Sequence, residues 1–172
     1  ITAGEHDILL FSSAGKSIRF KESDVRSVGR TAIGVRGIRL ADKDKVVSLI
    51  VAESDDPILT ATEKGYGKRT QLDEYRAQAR GGSGVISIKT SDRNGQVVGA
   101  IQVTDEDEMM LISDKGTLVR ARAADVSIIG RNTQGVTLIN IADDEALVSV
   151  AKIAETDDDE ESAEDVNETS EE

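Results

Sequence analysis

The stretch ILLFSSAGKSIRF, Ile8 to Phe20, returns twice along the chain, as ILTATEKGYGKRT from Ile58 to Thr70 and as MMLISDKGTLVRA from Met109 to Ala121. In this register Gly15, Gly65 and Gly116 coincide, and so do Arg19, Arg69 and Arg120. A second motif follows at the same spacing: GRTAIGVRGIRL (Gly29 to Leu40), ARGGSGVISIKT (Ala79 to Thr90) and GRNTQGVTLINI (Gly130 to Ile141). It aligns Arg30 with Arg80 and Arg131, and Gly34 with Gly84 and Gly135. Each unit closes on an apolar run, VVSLIV, VVGAIQV or LVSVAKI. A period of about 50 residues marks an array of small supersecondary units rather than one continuous fold.

Within a unit the patterns are those of strands. Ile38-Arg39-Leu40 and Ile88-Lys89-Thr90 alternate side chains across a sheet, and the β-branched closing runs are those of strands covered on both faces. Gly15, Gly65 and Gly116 stand between two strands, where a tight hairpin needs a residue that tolerates positive φ. About four strands per unit, without helical periodicity, predicts an all-β fold of antiparallel four-stranded, propeller-like blades. The expected divisions are 1–7 as the end of a preceding blade, 8–57, 58–108 and 109–154 as three blades, and 155–172 as a disordered acidic tail. Ile1-Thr2 stands before Ile8 as Val51-Ala52 stands before Ile58, which predicts an upstream blade.

Composition narrows the chemistry. The aromatics are only Phe11, Phe20, Tyr66 and Tyr75, so the core is aliphatic and base-stacking platforms for single strands are disfavoured. With no cysteine there is neither a disulfide scaffold nor a thiolate metal site. No apolar run reaches the roughly 18 residues of a membrane span, and no secretory signal opens the chain, which predicts a cytoplasmic protein. The net charge of −12 is misleading, because 11 of the 33 acidic residues lie from Glu155 onward. The remaining 22 nearly balance all 21 Lys and Arg, so the body is close to neutral.

Catalytic motifs are weak. AGKS (Ala14 to Ser17) has Leu10 where a phosphate loop needs its first glycine. Tyr66, beside Lys68 and Arg69, occurs in one unit only, and His6 stands alone. Asp105 and Asp107 lack the glycine and terminal Glu of a calcium hand.

On these motifs the chain resembles the C-terminal region of DNA gyrase A subunits, a β-pinwheel of six blades that bends duplex DNA around its rim. The resemblance covers all three units, residues 1 to 153, and the acidic ending suits it. Topoisomerase IV carries a related domain and is the nearer alternative; a propeller-like protein-interaction scaffold is the other. The heptapeptide typical of the family, glutamine, two arginines, two glycines, lysine and glycine, is degenerate here. QARGGSG keeps Gln78, Arg80, Gly81, Gly82 and Gly84, with Ala79 and Ser83 at the basic positions.

The resemblance implies non-sequence-specific binding and wrapping of double-stranded DNA, without catalysis by this segment. It also implies a bacterial, nucleoid-associated setting in which the partners are the B subunit of gyrase together with the remainder of the A subunit. No metal or cofactor is expected here, ATP and Mg binding elsewhere in the whole enzyme. The candidate DNA-binding residues are Lys16, Arg19, Arg30, Arg36, Arg39, Lys68, Arg69, Arg80, Lys89, Arg120, Arg122 and Arg131. Repeated cations can track phosphates without reading bases. The competing reading has the arginines pairing with Asp24, Glu74 or Asp125 on a solvated strand face. The tail is expected either to compete with DNA for these cations or only to solubilise the chain.

Overall fold

In a computed structural model, residues 2 and 4–154 are described, so the tail from Glu155 lies outside the described residues. Among them eleven strands form: β1 (Asp7–Ser12), β2 (Lys16–Lys21), β3 (Val46–Ala52), β4 (Ile58–Thr62), β5 (Tyr66–Thr70), β6 (Val85–Ile86), β7 (Val97–Gln102), β8 (Glu108–Ser113), β9 (Leu118–Arg122), β10 (Val136–Thr137) and β11 (Leu147–Lys152). The only helical pieces among the described residues are single 3-10 turns, Glu22–Asp24, Leu72–Glu74 and Ala123–Asp125, each directly after a hairpin. The fold is all-β and antiparallel, as the repeat pattern predicts.

Each unit opens on a hairpin, β1-β2, β4-β5 or β8-β9, and Gly15, Gly65 and Gly116 turn these hairpins with φ of 80°, 76° and 86°. The closing run returns beside the first hairpin strand, giving β3-β1-β2, β7-β4-β5 and β11-β8-β9. The fourth strand comes from elsewhere. β6, in the second unit, pairs with β2 of the first, and β10, in the third, pairs with β5 of the second. The first two sheets are therefore four-stranded and the third has three strands among the described residues.

These lent strands are short. The alternating segments Ile38-Arg39-Leu40 and Ile88-Lys89-Thr90 do not join a sheet; pairing is confined to Val85–Ile86 and Val136–Thr137. Only part of the alternation survives as burial: Ile38 and Ile88 lie inside and Arg39 and Lys89 outside, but Leu40 is exposed as well. Glycine permits the crossing. Gly84 (φ 68°) and Gly135 (φ 82°) pass so near the preceding hairpin that a Cβ would lie 2.2 Å from the Ser17 carbonyl oxygen and 2.6 Å from that of Gly67. Gly34 has the same backbone, φ 85°, with no atom within 4 Å.

The cores lie between successive blades. Leu9, Phe11, Ile50, Ile58, Leu72, Tyr75 and Ala100 pack between the first and second sheets, and Phe11 meets Tyr75 edge to face at 5.8 Å. Leu59, Ala61, Val103, Met109, Leu111, Leu147 and Val150 belong to the cluster between the second and third. Ile8, Leu10, Ile18, Phe20 and Ile38 cover the outer face of the first sheet. Of the closing runs, only β7 is enclosed on both faces, because β3 and β11 flank it. β3 and β11 expose one side, at Leu49 and Val148, since each has one neighbouring blade among the described residues.

Candidate nucleic-acid interface

The candidate cations divide by burial into two classes with different work. Arg19, half-buried on β2, donates from Nε to the buried Asp7 carboxylate at 2.6 Å. Its Nη1 donates across the blade junction to the carbonyl oxygens of Leu72 (2.9 Å) and Tyr75 (3.3 Å). Arg69 repeats the device one blade on. Its Nε donates to the Val126 carbonyl at 2.8 Å, and Nη1 pairs with Asp105, because Pro57 stands where the first unit has Asp7.

Asp7 balances two influences: burial raises its carboxyl, but the hydrogen bonds and charges of Lys21 and Arg19 outweigh it and hold the group below its ordinary 3.8. Arg19 and Arg69 bolt blades together, their guanidinium donors spent on carbonyl oxygens of the next unit and on carboxylates. The register that the sequence offers as a phosphate ladder thus places two of its three arginines at blade junctions. Arg120, the third of the set, lies exposed and pairs with Glu108.

Lys68 is also withdrawn from the surface. It is 0 % exposed, and its ammonium donates to the carbonyl oxygens of Gly130 (2.7 Å) and Arg131 (2.6 Å) and to Thr133 Oγ1 (3.1 Å). Burial, with the nearby Arg131 charge, pushes its pKa down to about 8 against an upward pull from Glu74.

Arg80 and Arg131 also brace the crossing segments. Arg80 reaches the carbonyl oxygens of Asp24 (3.3 Å) and Arg36, and Arg131 that of Ile86 (2.9 Å), with its Nε 3.7 Å from the Glu74 carboxylate. Asp24 and Glu74, the acidic partners of the competing reading, thus do receive these arginines, through a carbonyl in one case and a carboxylate in the other. Asp125 receives Arg122 within its own unit, at 3.2 Å.

The cations left exposed are Lys16, Arg30, Arg36, Arg39, Lys89 and Arg122 beside Arg120. Most sit on or next to the crossing segments, which run side by side. Arg39 N–H donates to the Gly82 carbonyl and Lys89 N–H to that of Thr133, each at 2.8 Å. These bonds join 30–41, 79–90 and 130–141 into one strip. Lys16, at the head of β2, pairs with Ile86 on the same strip.

The degenerate heptapeptide also lies there. Gln78 N–H bonds the Arg19 carbonyl at 2.9 Å, Gly81 N–H bonds that of Gly37 at 2.7 Å, and Gly82 accepts from Arg39. Its glycines therefore serve close backbone approach.

Among the described residues no three His, Cys, Asp or Glu side chains converge to hold a metal. Tyr66 opens β5 with the Arg93 guanidinium 4.9 Å from its ring centre, which lowers its phenol chiefly through a hydrogen bond. His6 sits 3.8 Å from Glu22. No helix among the described residues is long and apolar enough to cross a membrane.

Comparison with known proteins agrees with this architecture. The family model of the DNA gyrase C-terminal domain, beta-propeller, matches three times, at residues 6–53, 56–104 and 107–154. The DNA gyrase A subunit of Klebsiella oxytoca is 60 % identical over 161 residues, 94 % of this chain and 18 % of that protein, so the chain spans about a fifth of such a relative. A solved gyrase A C-terminal domain superposes with a TM-score of 0.81 at 31 % identity, covering 87 % of this chain and 51 % of that one. The C-terminal domain of a DNA topoisomerase IV superposes at 0.83 with 27 % identity, covering 88 % and 48 %. The fold is thus common to both enzymes' domains, while the sequence likeness and the threefold match agree on one assignment: the chain belongs to the DNA gyrase C-terminal domain family.

Proposed function

We propose that this chain binds duplex DNA without sequence preference and bends it along the strip formed by residues 30–41, 79–90 and 130–141. In this reading it is a non-catalytic part of a gyrase A subunit, which works with the B subunit in ATP-dependent supercoiling. The observation that carries it is the continuity of the strip: three crossing segments joined by backbone bonds, bearing Arg30, Arg36, Arg39 and Lys89 exposed and without ion pairs among the described residues. Cations spaced along a rigid edge suit the phosphates of a duplex, which present one charge per ~1.7 Å of axis. Shallow strand-and-loop surface of this kind offers phosphate contacts rather than base readout.

The test is fluorescence anisotropy with a random-sequence duplex over a salt series. If Lys16, Arg30, Arg36, Arg39, Lys89 and Arg122 each engage one phosphate, the slope of log K against log salt is about −5. Replacing Arg30, Arg36 and Arg39 with Ala should flatten it by about 3 while the fold is kept. A slope near zero, or binding confined to one sequence, refutes the reading and leaves the protein-interaction scaffold. No ATP hydrolysis and no DNA nicking are expected of the isolated chain.

A further inference from the structure

Lys68 is a charged side chain on the strip's underside that its own repeats do not explain. The equivalent positions hold Ile18 and Val119. In the first blade Ile18 is the apolar floor below the crossing loop, where a Cβ on Gly82 would lie 3.8 Å from its Cδ1. The second blade replaces that floor with an ammonium whose three protons all go to the loop of the next unit. Burying a lysine costs free energy that an isoleucine does not, so the substitution calls for a compensating role.

That role lies on the other side of the same peptides. Lys68 draws the carbonyl oxygens of Gly130 and Arg131 inward. The chain has no cis peptide among its described residues, and in a trans peptide the N–H points opposite to the C=O. The N–H groups of Arg131 and Asn132 are therefore turned away from Lys68. Neither finds an acceptor among the described residues, and Gly130 and Asn132 are exposed. The first blade's loop has no such pair, since Gly81 N–H, equivalent to that of Asn132, donates to the Gly37 carbonyl at 2.7 Å. Two successive N–H groups left without an internal acceptor remain available to donate to an anionic oxygen.

We propose that the N–H groups of Arg131 and Asn132 form a phosphate-binding nest on the DNA-facing strip and that Lys68 is the positioning residue that holds it open from beneath. The nest rests on the duplex-binding reading and takes a backbone phosphodiester of the duplex. It adds a contact that no surface charge count reveals, because its donors are neutral peptides and its charge is buried. Lys68 touches no DNA. It acts through the two carbonyl oxygens, and when it loses a proton it keeps two N–H donors for three acceptors, so one loop bond is lost. The charged and titratable groups around it are Arg131 and Glu74 from the packed elements and Tyr66 on its own strand.

The test is an amide NMR titration of the whole chain at pH 7 with a random-sequence duplex, and in parallel with inorganic phosphate. The Arg131 and Asn132 amides should shift saturably at the duplex concentration that saturates anisotropy. A duplex that binds and leaves both amides unmoved overturns the nest while the DNA reading stands. No binding at all overturns both. Shifts with millimolar phosphate but not with duplex also overturn the assignment. Lys68→Met, with its fingerprint spectrum otherwise unchanged, should bind the duplex about tenfold more weakly at pH 7, the order of one lost hydrogen bond to a charged group. Wild-type affinity should fall between pH 7 and 9 more steeply than that of K68M, and parallel profiles would overturn the role of Lys68. If K68M does not fold, the wild-type titration still decides.

Discussion

Gly34 and Gly84 occupy equivalent places in successive units, and replacing each with alanine separates backbone strain from the cost of strand lending. Both have left-handed backbones, φ 85° and 68°, where an L side chain costs about 1–2 kcal/mol, partly offset by the ~0.4–1 kcal/mol that Gly→Ala gains by restricting the unfolded chain. Gly34→Ala should therefore cost about 1 kcal/mol, its Cβ meeting nothing within 4 Å. Gly84→Ala starts from the same strain but sets its Cβ 2.2 Å from the Ser17 carbonyl oxygen and 2.8 Å from that residue's carbonyl carbon. Both contacts are backbone, so neither can swing aside. The crossing loop must retreat by about an ångström, and Val85 and Ile86, the whole of β6, follow directly. Overpacking of this kind adds about 1–3 kcal/mol, for a total of about 2–4 kcal/mol. Urea unfolding followed by tyrosine fluorescence suits the measurement, because Tyr75 is buried between the first two sheets. Equal losses at the two positions would refute the claim that Gly84 is there for its neighbour rather than for its φ alone.

Further expectations concern the blade junctions. Arg19→Ala should cost about 3 kcal/mol, since it withdraws a partner from buried Asp7 and two carbonyls, whereas Arg120→Ala on the exposed side should cost no more than about 1 kcal/mol. Asp7 has a lowered folded-state pKa, so its contribution is complete above 3.8 and is lost as pH falls through the folded value. Acid unfolding of Asp7→Asn should accordingly begin from a lower stability and depend less on pH below about 4, as circular dichroism would show. Tyr75→Phe keeps the ring on Phe11 and loses the 3.2 Å hydroxyl contact with Ser87, for a cost of about 0.5–1.5 kcal/mol in the same urea assay.

The period, the hairpin glycines and the aliphatic core were legible in the sequence because each is a local pattern repeated three times. The lent strands were not. Val85–Ile86 and Val136–Thr137 are too short to carry a period of two, and their partners lie in another unit some seventy residues away. Residue type misled most at the cations. Lys68 and Arg69 read as surface charges because lysine and arginine are rarely buried, and only the structure supplies the carbonyl oxygens that make their burial tolerable. The signal that could have separated them was present: Lys68 has Ile18 and Val119 as counterparts, an apolar position in two units of three. Arg39 and Lys89 remained at the surface for the opposite reason, since the crossing segments put their apolar neighbours Ile38 and Ile88 inward.

Because β10 completes the second sheet, the segment that could be deleted, duplicated or transplanted without harm is not the segment that repeats. Cutting between Thr104 and Asp107, where one match to the family model ends and the next begins, would strip β5 of β10, leave the Lys68 ammonium without any of its three acceptors and deprive Arg69 of the Val126 carbonyl. A graft that respects the molecule would have to carry the crossing loop of the following unit with it, ending after Thr137 rather than at the seam. Growth or loss of blades in such an array therefore leaves a scar one loop beyond the visible repeat.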